Sequence, residues 1–283
     1  MNNQSKIAES LAIPAPFHEP GVKVIRNVNW PGTYALYKKE VRRFMKVQLQ
    51  TIWAPAIQTL LFLVIFSIAL GGAGRTVLGV PFADFIAPGL IVGTGMLQAA
   101  FQNSSFSLLV GKMQGTIIDY LMPPISAGEM LFALVASSVT RACAVGIALW
   151  IAMALWPGVH VTPIHLWAIA WFGIGGSMLI AFVGLLTAIW ADKFDHAAAI
   201  SNFVIAPLSL LSGTFYAIDR LSPLFRTLSH ANPFFYIISG FRYGFLSRAD
   251  SNVPTGAVVI LALNLLLGAA CYVALRRGWK IKA

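Results

Sequence analysis

The chain has 283 residues, 58% of them hydrophobic and only 11% charged, with a mean hydropathy of +0.75 and a formal net charge of +10. A soluble domain carries about 25% charged residues because something must face water, so an ordinary soluble fold is excluded. The basic residues crowd the tails and loops, which assigns the positive charge to membrane topology and not to nucleic acid.

Residues 1–29 are polar and spotted with Pro14, Pro16 and Pro20. They contain no apolar signal-peptide core, so the first spanning helix is expected to act as an uncleaved insertion signal. Next, Thr33–Thr51 has helical periodicity. Tyr37, Val41, Phe44, Met45 and Leu49 recur at spacings of three and four, and Lys38, Lys39, Arg42, Arg43 and Lys46 occupy the other face. A basic amphipathic helix of this kind lies in the headgroup layer; the alternative is a continuation of the first span, which Pro55 disfavours by bending the chain.

A span needs roughly 20 apolar residues to cross about 30 Å of hydrocarbon. Six segments qualify: Ile52–Leu70, Phe85–Val110, Met130–Trp156, Leu166–Ala191, Ala197–Ile218 and Pro254–Leu275. The expected class is an all-α integral membrane protein divided into a tail with interface helix (1–51), a six-helix domain (52–276) and a C-terminal tail (277–283). Six spans put both termini on one side. That side holds fourteen Lys and Arg against five on the other, which places both tails in the cytoplasm.

Between spans two and three, Lys112–Ile125 starts polar, has a helix-compatible centre and stops at Pro123-Pro124. Taken alone, this is equally a structured loop or a short helix lying across the cytoplasmic face. Between spans five and six, Leu221, Leu224, Phe225 and Leu228 follow a helical pattern. Asn232-Pro233 then breaks the chain before the apolar stretch Phe234–Phe241. Two short helices dipping into the outer leaflet account for this; resting on its surface is the simpler alternative.

Polar residues inside spans must meet protein or water. Gln98, Gln102 and Ser105 form a stripe on span two, and Asn202, Ser209 and Ser212 a similar one on span five. Either stripe can line a pathway or supply hydrogen bonds between helices. Gly173, Ser177 and Ala181 form a small-residue packing ridge on span four. Arg141 is the only formal charge in a span, and either touches an anionic substrate group or a switching partner, or serves as a hydrogen-bond hub to carbonyls. The five histidines lie scattered without metal-ligand spacing. Cys143 and Cys271 fall in apolar segments as small buried hydrophobes.

Several segments in order resemble the ABC-2 type permeases. Glu40–Met45 is similar to the start of short bacterial inner-membrane members, and Leu211–Tyr216 to the end of their fifth span. Asn232-Pro233 followed by Ser239–Leu246 is similar to the region before their last span. The loop from Lys112 resembles their coupling helix, with Asp119 at the acidic position and Pro124 at the proline, while Gly115 and Ile118 depart from the pattern. The resemblance implies a homodimer working with two copies of a separate ATPase subunit. Lys112, Gln114, Thr116, Asp119, Tyr120 and Pro124 would meet that subunit, and spans two and five would line the route. ATP and Mg would be bound by the partner and no cofactor by this chain, which contains no Gly-x-x-x-x-Gly-Lys-Ser/Thr phosphate loop. The expected activity is export of a lipophilic, amphipathic or glycan-type substrate, with no enzyme site in this chain.

Two rivals remain at this level. A secondary transporter would need Asp or Glu near the midplane, whereas all ten acids fall in tails, loops or span ends, Glu129 and Asp84 nearest the core. An intramembrane enzyme or non-transporting scaffold would need a reactive constellation or a large partner-binding loop.

Overall fold

The computed structural model describes residues 28–71, 76–216 and 222–280. Lys6, Lys23, Arg26, Arg75, Arg220, Leu221, Lys282 and the last two residues of the predicted fifth span lie outside these.

Helix α1, Trp30–Lys46, opens on Asn29, whose side chain accepts from the Gly32 N–H, with Pro31 in its first turn. A π turn at Leu49–Trp53 leads into α2, Ala54–Gly71. A two-stranded hairpin pairs Thr76–Val77 with Val80–Pro81, and Leu78 and Gly79 both take positive φ, the two-residue turn that matches strand twist. Helix α3 runs continuously over Phe82–Met113. Pro88 interrupts its hydrogen-bond ladder, and a π stretch follows at Leu90–Leu97.

One turn of helix, α4 at Ile118–Leu121, precedes α5, Ala127–Ala154, which starts on a Ser126/Glu129 capping box. Helix α6 is Leu166–Trp190. A continuous run, α7, comprises Phe194–Ile200, a π turn at Ser201–Ile205 and Ala206–Leu210. Helices α8, Pro223–Ala231, and α9, Pro233–Leu246, meet at the Asn232 break. Helix α10, Val253–Arg277, ends on left-handed Gly278.

Among the described residues five helical runs are long and apolar enough to span a membrane: Leu49–Ala69, α3, α5, α6 and α10. The predicted fifth span is the exception. Run α7 covers about 25 Å at 1.5 Å per residue, short of a full hydrocarbon core. It stops because Leu211–Gly213 turns the chain, with Gly213 at φ 76°.

Helices α3 and α6 form the centre, with 83% and 72% of their most apolar windows buried, against 22% for the first span and 17% for α10. The central pair approaches closely at Gly184, where an added Cβ would lie 2.1 Å from Ser104 Oγ and 2.8 Å from the Phe101 carbonyl oxygen. Of the predicted ridge, Gly173 packs on Met96 and Phe241, while Ser177 and Ala181 are buried.

The fold has two distinct ends. At the tail end α1, the 114–124 loop and the ends of α3, α6 and α10 gather; the hairpin, α8, α9 and the loop after α9 lie at the far end. Helices α8 and α9 depart from a matched pair dipping into the membrane. In α8, Leu224, Phe225 and Leu228 are exposed, whereas α9 is buried by Phe234, Phe235, Ile237, Ile238, Phe241 and Phe245 against α3, α6 and α10.

Helix α1 divides the predicted apolar stripe, with Phe44 buried, Tyr37 and Val41 half-buried and the rest outward. The side buried in the protein carries Thr33, Leu36, Glu40 and Phe44, packed largely on α5, while Met45 and Leu49 of the predicted apolar stripe are exposed. Lys38, Lys39 and Arg42 remain exposed as expected, and Arg43 is half-buried.

Candidate functional site

At the tail end a polar network lies beneath α1. Glu40, fully buried, accepts hydrogen bonds from Ser107 Oγ at 2.7 Å and Tyr120 Oη at 2.9 Å and pairs with Arg43 at 3.0 Å. Arg43 also donates to the Asn103 carbonyl and side-chain oxygens at 3.0 and 3.3 Å, and Asn103 donates to Ser137 and Ser138. Burial first, then the Glu40 carboxylate, raise the Tyr120 phenol above its ordinary pKa, so it stays a donor. Lys39 Nζ stands 3.8 Å over the Tyr120 ring, and Asn29 Nδ2 donates to the Pro124 carbonyl at 3.0 Å. The 114–124 loop is thus fixed to α1 at both Tyr120 and Pro124.

The six residues grouped in this loop by sequence divide into two sets. Gln114, Thr116, Asp119 and Pro124 are exposed, beside exposed Met113, Ile118 and Met122. Tyr120 points inward. Lys112 is turned away from the surface, its ammonium donating to the carbonyls of Ala188, Ile189 and Ala191 at 3.2, 3.0 and 2.6 Å. A cation there complements the α6 C-terminal dipole and satisfies carbonyls that no further turn of helix can reach.

A cavity of about 370 Å³ opens between α2, α3 and α7. Gln58, Thr94, Gln98, Gln102, Asn202 and Ser209 give it its polar lining, so four of the six predicted stripe residues come together there. Gln98 Nε2 donates to Ser201 Oγ at 2.8 Å, and Ser209 Oγ is buried without a partner. The other two do not join them. Ser105 is buried and bonds back to the Gln102 carbonyl, and Ser212 accepts from Asn232 Nδ2 at 2.8 Å, joining the end of α7 to the α8–α9 break. Asn232 also caps α9 through the Phe234 N–H, with Pro233 in the first helical position.

Arg141 is buried, and its Nη2 donates to Gln102 Oε1 at 3.2 Å and to the Thr51 carbonyl at 3.4 Å. Pro55 has no N–H to offer that carbonyl four residues back. The Arg141 Nε has no partner, and no carboxylate pairs with Arg141 among the described residues.

Sequence reasoning missed two buried charges. Glu40 was assigned to a tail, although its i−4 and i+4 neighbours Leu36 and Phe44 mark a buried face. Arg242 was counted with the far-side loops. It is fully buried in α9, donating Nε to the Phe85 carbonyl at 3.2 Å and Nη2 to that of Gly213 at 2.6 Å, pairing through Nη1 with Asp250, and stacking on Phe85 at 3.9 Å. Its sequence signal was an arginine inside an otherwise apolar aromatic helix.

A bundle of long apolar helices enclosing a partly polar cavity defines an all-α membrane protein, and residues 31–246 match the ABC-2 type transporter family, to which the chain belongs. It is 32% identical over 250 residues to the inner membrane transport permease YadH of Escherichia coli K12, covering 88% of this chain and 96% of that protein. It is also 25% identical to nodulation protein J of Rhizobium leguminosarum bv. viciae over 228 residues, covering 80% and 85%. Nodulation protein J of Sinorhizobium fredii is 22% identical over 225 residues, covering 80% and 84%. Members of this family are transport permeases, and membership implies association with an ABC ATPase subunit.

Proposed function

We propose that the chain is the membrane subunit of an ATP-driven exporter, working as a homodimer with two copies of a separate ATPase. In this reading α7 completes a sixth crossing together with the turn that follows it, both termini lie in the cytoplasm, and the protein resides in a bacterial inner membrane. The observation that carries it is the tail-end loop. Its exposed tip combines Met113, Ile118 and Met122 with Asp119, an apolar surface that water would not favour uncovered. The same loop is fastened to α1 through Tyr120–Glu40 and Pro124–Asn29.

A push on the tip therefore reaches α1, and through Arg43 and Ser107 it reaches α3, whose other face lines the cavity. ATP-driven closure of the partner dimer would shift α3 and α7 across the seam with the second copy. Gln58 and Asn202 at the rim of the cavity favour such a seam, because lipid would penalise an open polar wall. A lipophilic, amphipathic or glycan-type substrate would then leave outward through the cavity.

The test is purification of the tagged chain from native membranes in mild detergent, followed by mass spectrometry. Copurification of a phosphate-loop ATPase at near-equal stoichiometry, lost when residues 113–119 are scrambled, supports the reading. Absence of any ATPase under several gentle conditions would overturn it. A proton-coupled transporter would draw on a buried carboxylate, and those of Glu40, Asp84 and Asp250 are each already engaged, by Arg43, Ser107 and Tyr120, by the His160 N–H, and by Arg242.

A further inference from the structure

Buried arginines normally spend their donors. A guanidinium presents five N–H groups in a rigid fork, and inside an apolar bundle each unused one is costly. Arg141 departs from this: a single nitrogen makes two long contacts, and the buried Nε makes none. Every charged group around it is accounted for. Glu40, on the tail-end side, is committed to Arg43, Ser107 and Tyr120, and Arg43 adds a second positive charge to the same neighbourhood. Among the described residues the inner bundle therefore holds a positive charge with no carboxylate paired to it.

That charge stands directly behind the cavity. Gln102 lines it, and by accepting from Arg141 through Oε1 keeps its Nε2 donors free. Toward the far end of the same cavity, Ser209 Oγ is 4% exposed with no partner, against Gly93 of α3. Gly93 and Gln102 lie nine positions apart, about 13 Å along the helix. Two unspent polar groups thus bracket one polar cavity, Ser209 in its wall and the cationic Arg141 one side chain behind it, at Gln102.

We propose that this cavity binds an anionic amphiphile, its phosphate or carboxylate held by Arg141 and the Gln102 amide and its remaining polar portion extending toward Ser209. A planar guanidinium fork matches either anion in bidentate fashion, and the Gln102 contact is weak enough to be exchanged for one to the ligand. The proposal rests on reading the cavity as a substrate pathway and narrows the substrate to an anionic class.

The test uses the full permease in phosphatidylcholine nanodiscs, read by thermal shift against dodecyl phosphate, dodecyl maltoside and inorganic phosphate. Dodecyl phosphate is expected to act at about tenfold lower concentration than the maltoside. Arg141→Gln should abolish that preference, and the exposed tail variant Arg276→Gln should keep it. Gln102→Glu gives Arg141 an internal counter-ion in place, so it should fold and lose the preference even if Arg141→Gln does not fold. Equal responses to the two amphiphiles, or a preference surviving Gln102→Glu, would overturn the proposal. An equal Arg141-dependent response to inorganic phosphate would assign the site to free anion and overturn the amphiphile. No ATPase is present, so failure here with ATPase copurification intact separates this proposal from the exporter reading.

Discussion

The far end and the tail half of the bundle each bury an arginine, and the two are housed in opposite ways. Arg242 has a carboxylate, two carbonyls and an aromatic face, one partner for each donor edge. Together these tie α9, the start of α3, the end of α7 and the loop after α9 into one assembly. Arg141 has an amide and a distant carbonyl on one nitrogen and nothing on Nε. A satisfied fork welds elements together, whereas an unsatisfied one holds binding capacity in reserve. By this measure the far end is firmly fastened, and the tail half keeps unspent donors next to the cavity.

The most severe way to break the contrast is Arg242→Met, which removes the ion pair to Asp250 and leaves two buried carbonyls without a donor. A loss of about 3–5 kcal/mol is expected, read as a collapsed monodisperse peak in detergent. Arg242→Lys should recover little, since an ammonium's donors all leave one atom and cannot span the separated partners that the guanidinium fork reaches.

Next in size is Gly184→Val, which forces α3 and α6 apart where the Cβ would meet Ser104 and Phe101. Overpacking of this kind costs about 1–3 kcal/mol, measured as a lowered unfolding midpoint with the cavity variants unaffected.

Glu40→Gln leaves Arg43 without its carboxylate partner. Because Arg43 is about a third exposed, the cost should be near 1–2 kcal/mol. Its sharper signature would be faster amide exchange over residues 114–122 while α9 stays protected, which would separate the tail-end network from the far-end weld. Unchanged exchange there would show that Glu40 does not hold the loop.

Arg141→Gln should be mild for stability, about 1 kcal/mol or less, a midpoint change of at most about 2–4 °C. A loss as large as that of Arg242→Met would make Arg141 a second structural hub and erase the distinction. Smallest of all, Met122→Ser and Asp119→Asn on the exposed loop should stay within about 0.5 kcal/mol in stability. ATPase copurification should nonetheless fall.

Much of this architecture was legible in the chain. Five of the six predicted spans coincide with long apolar helical runs to within a few residues, because hydrocarbon imposes a length and composition that local sequence reports directly. The Asn232-Pro233 break and a helix ahead of the first span could also be read from spacing, as could the two polar stripes from which Gln98, Gln102, Asn202 and Ser209 meet at the cavity. The fifth span was overextended because apolar composition continues through Leu211 while the backbone turns at Gly213. Lys112 was grouped with the partner-facing residues through the family resemblance, which does not say which way its side chain points. The packing of α1 on α5 through Thr33, Leu36, Glu40 and Phe44 was not legible, because a stripe of apolar residues looks the same whether lipid or protein covers it.

The sequence by itself determined that this chain lives in a membrane, which segments are apolar enough to cross it, and which family it resembles. Those are properties of runs of residues in their local solvent. Only tertiary structure decided which charges are spent and which are free, because pairing depends on distances between segments far apart in the chain. Glu40 meets Tyr120 across eighty positions, Arg242 reaches Phe85 across 157, and Arg141 reaches Gln102 across 39 but pairs with no carboxylate among the described residues.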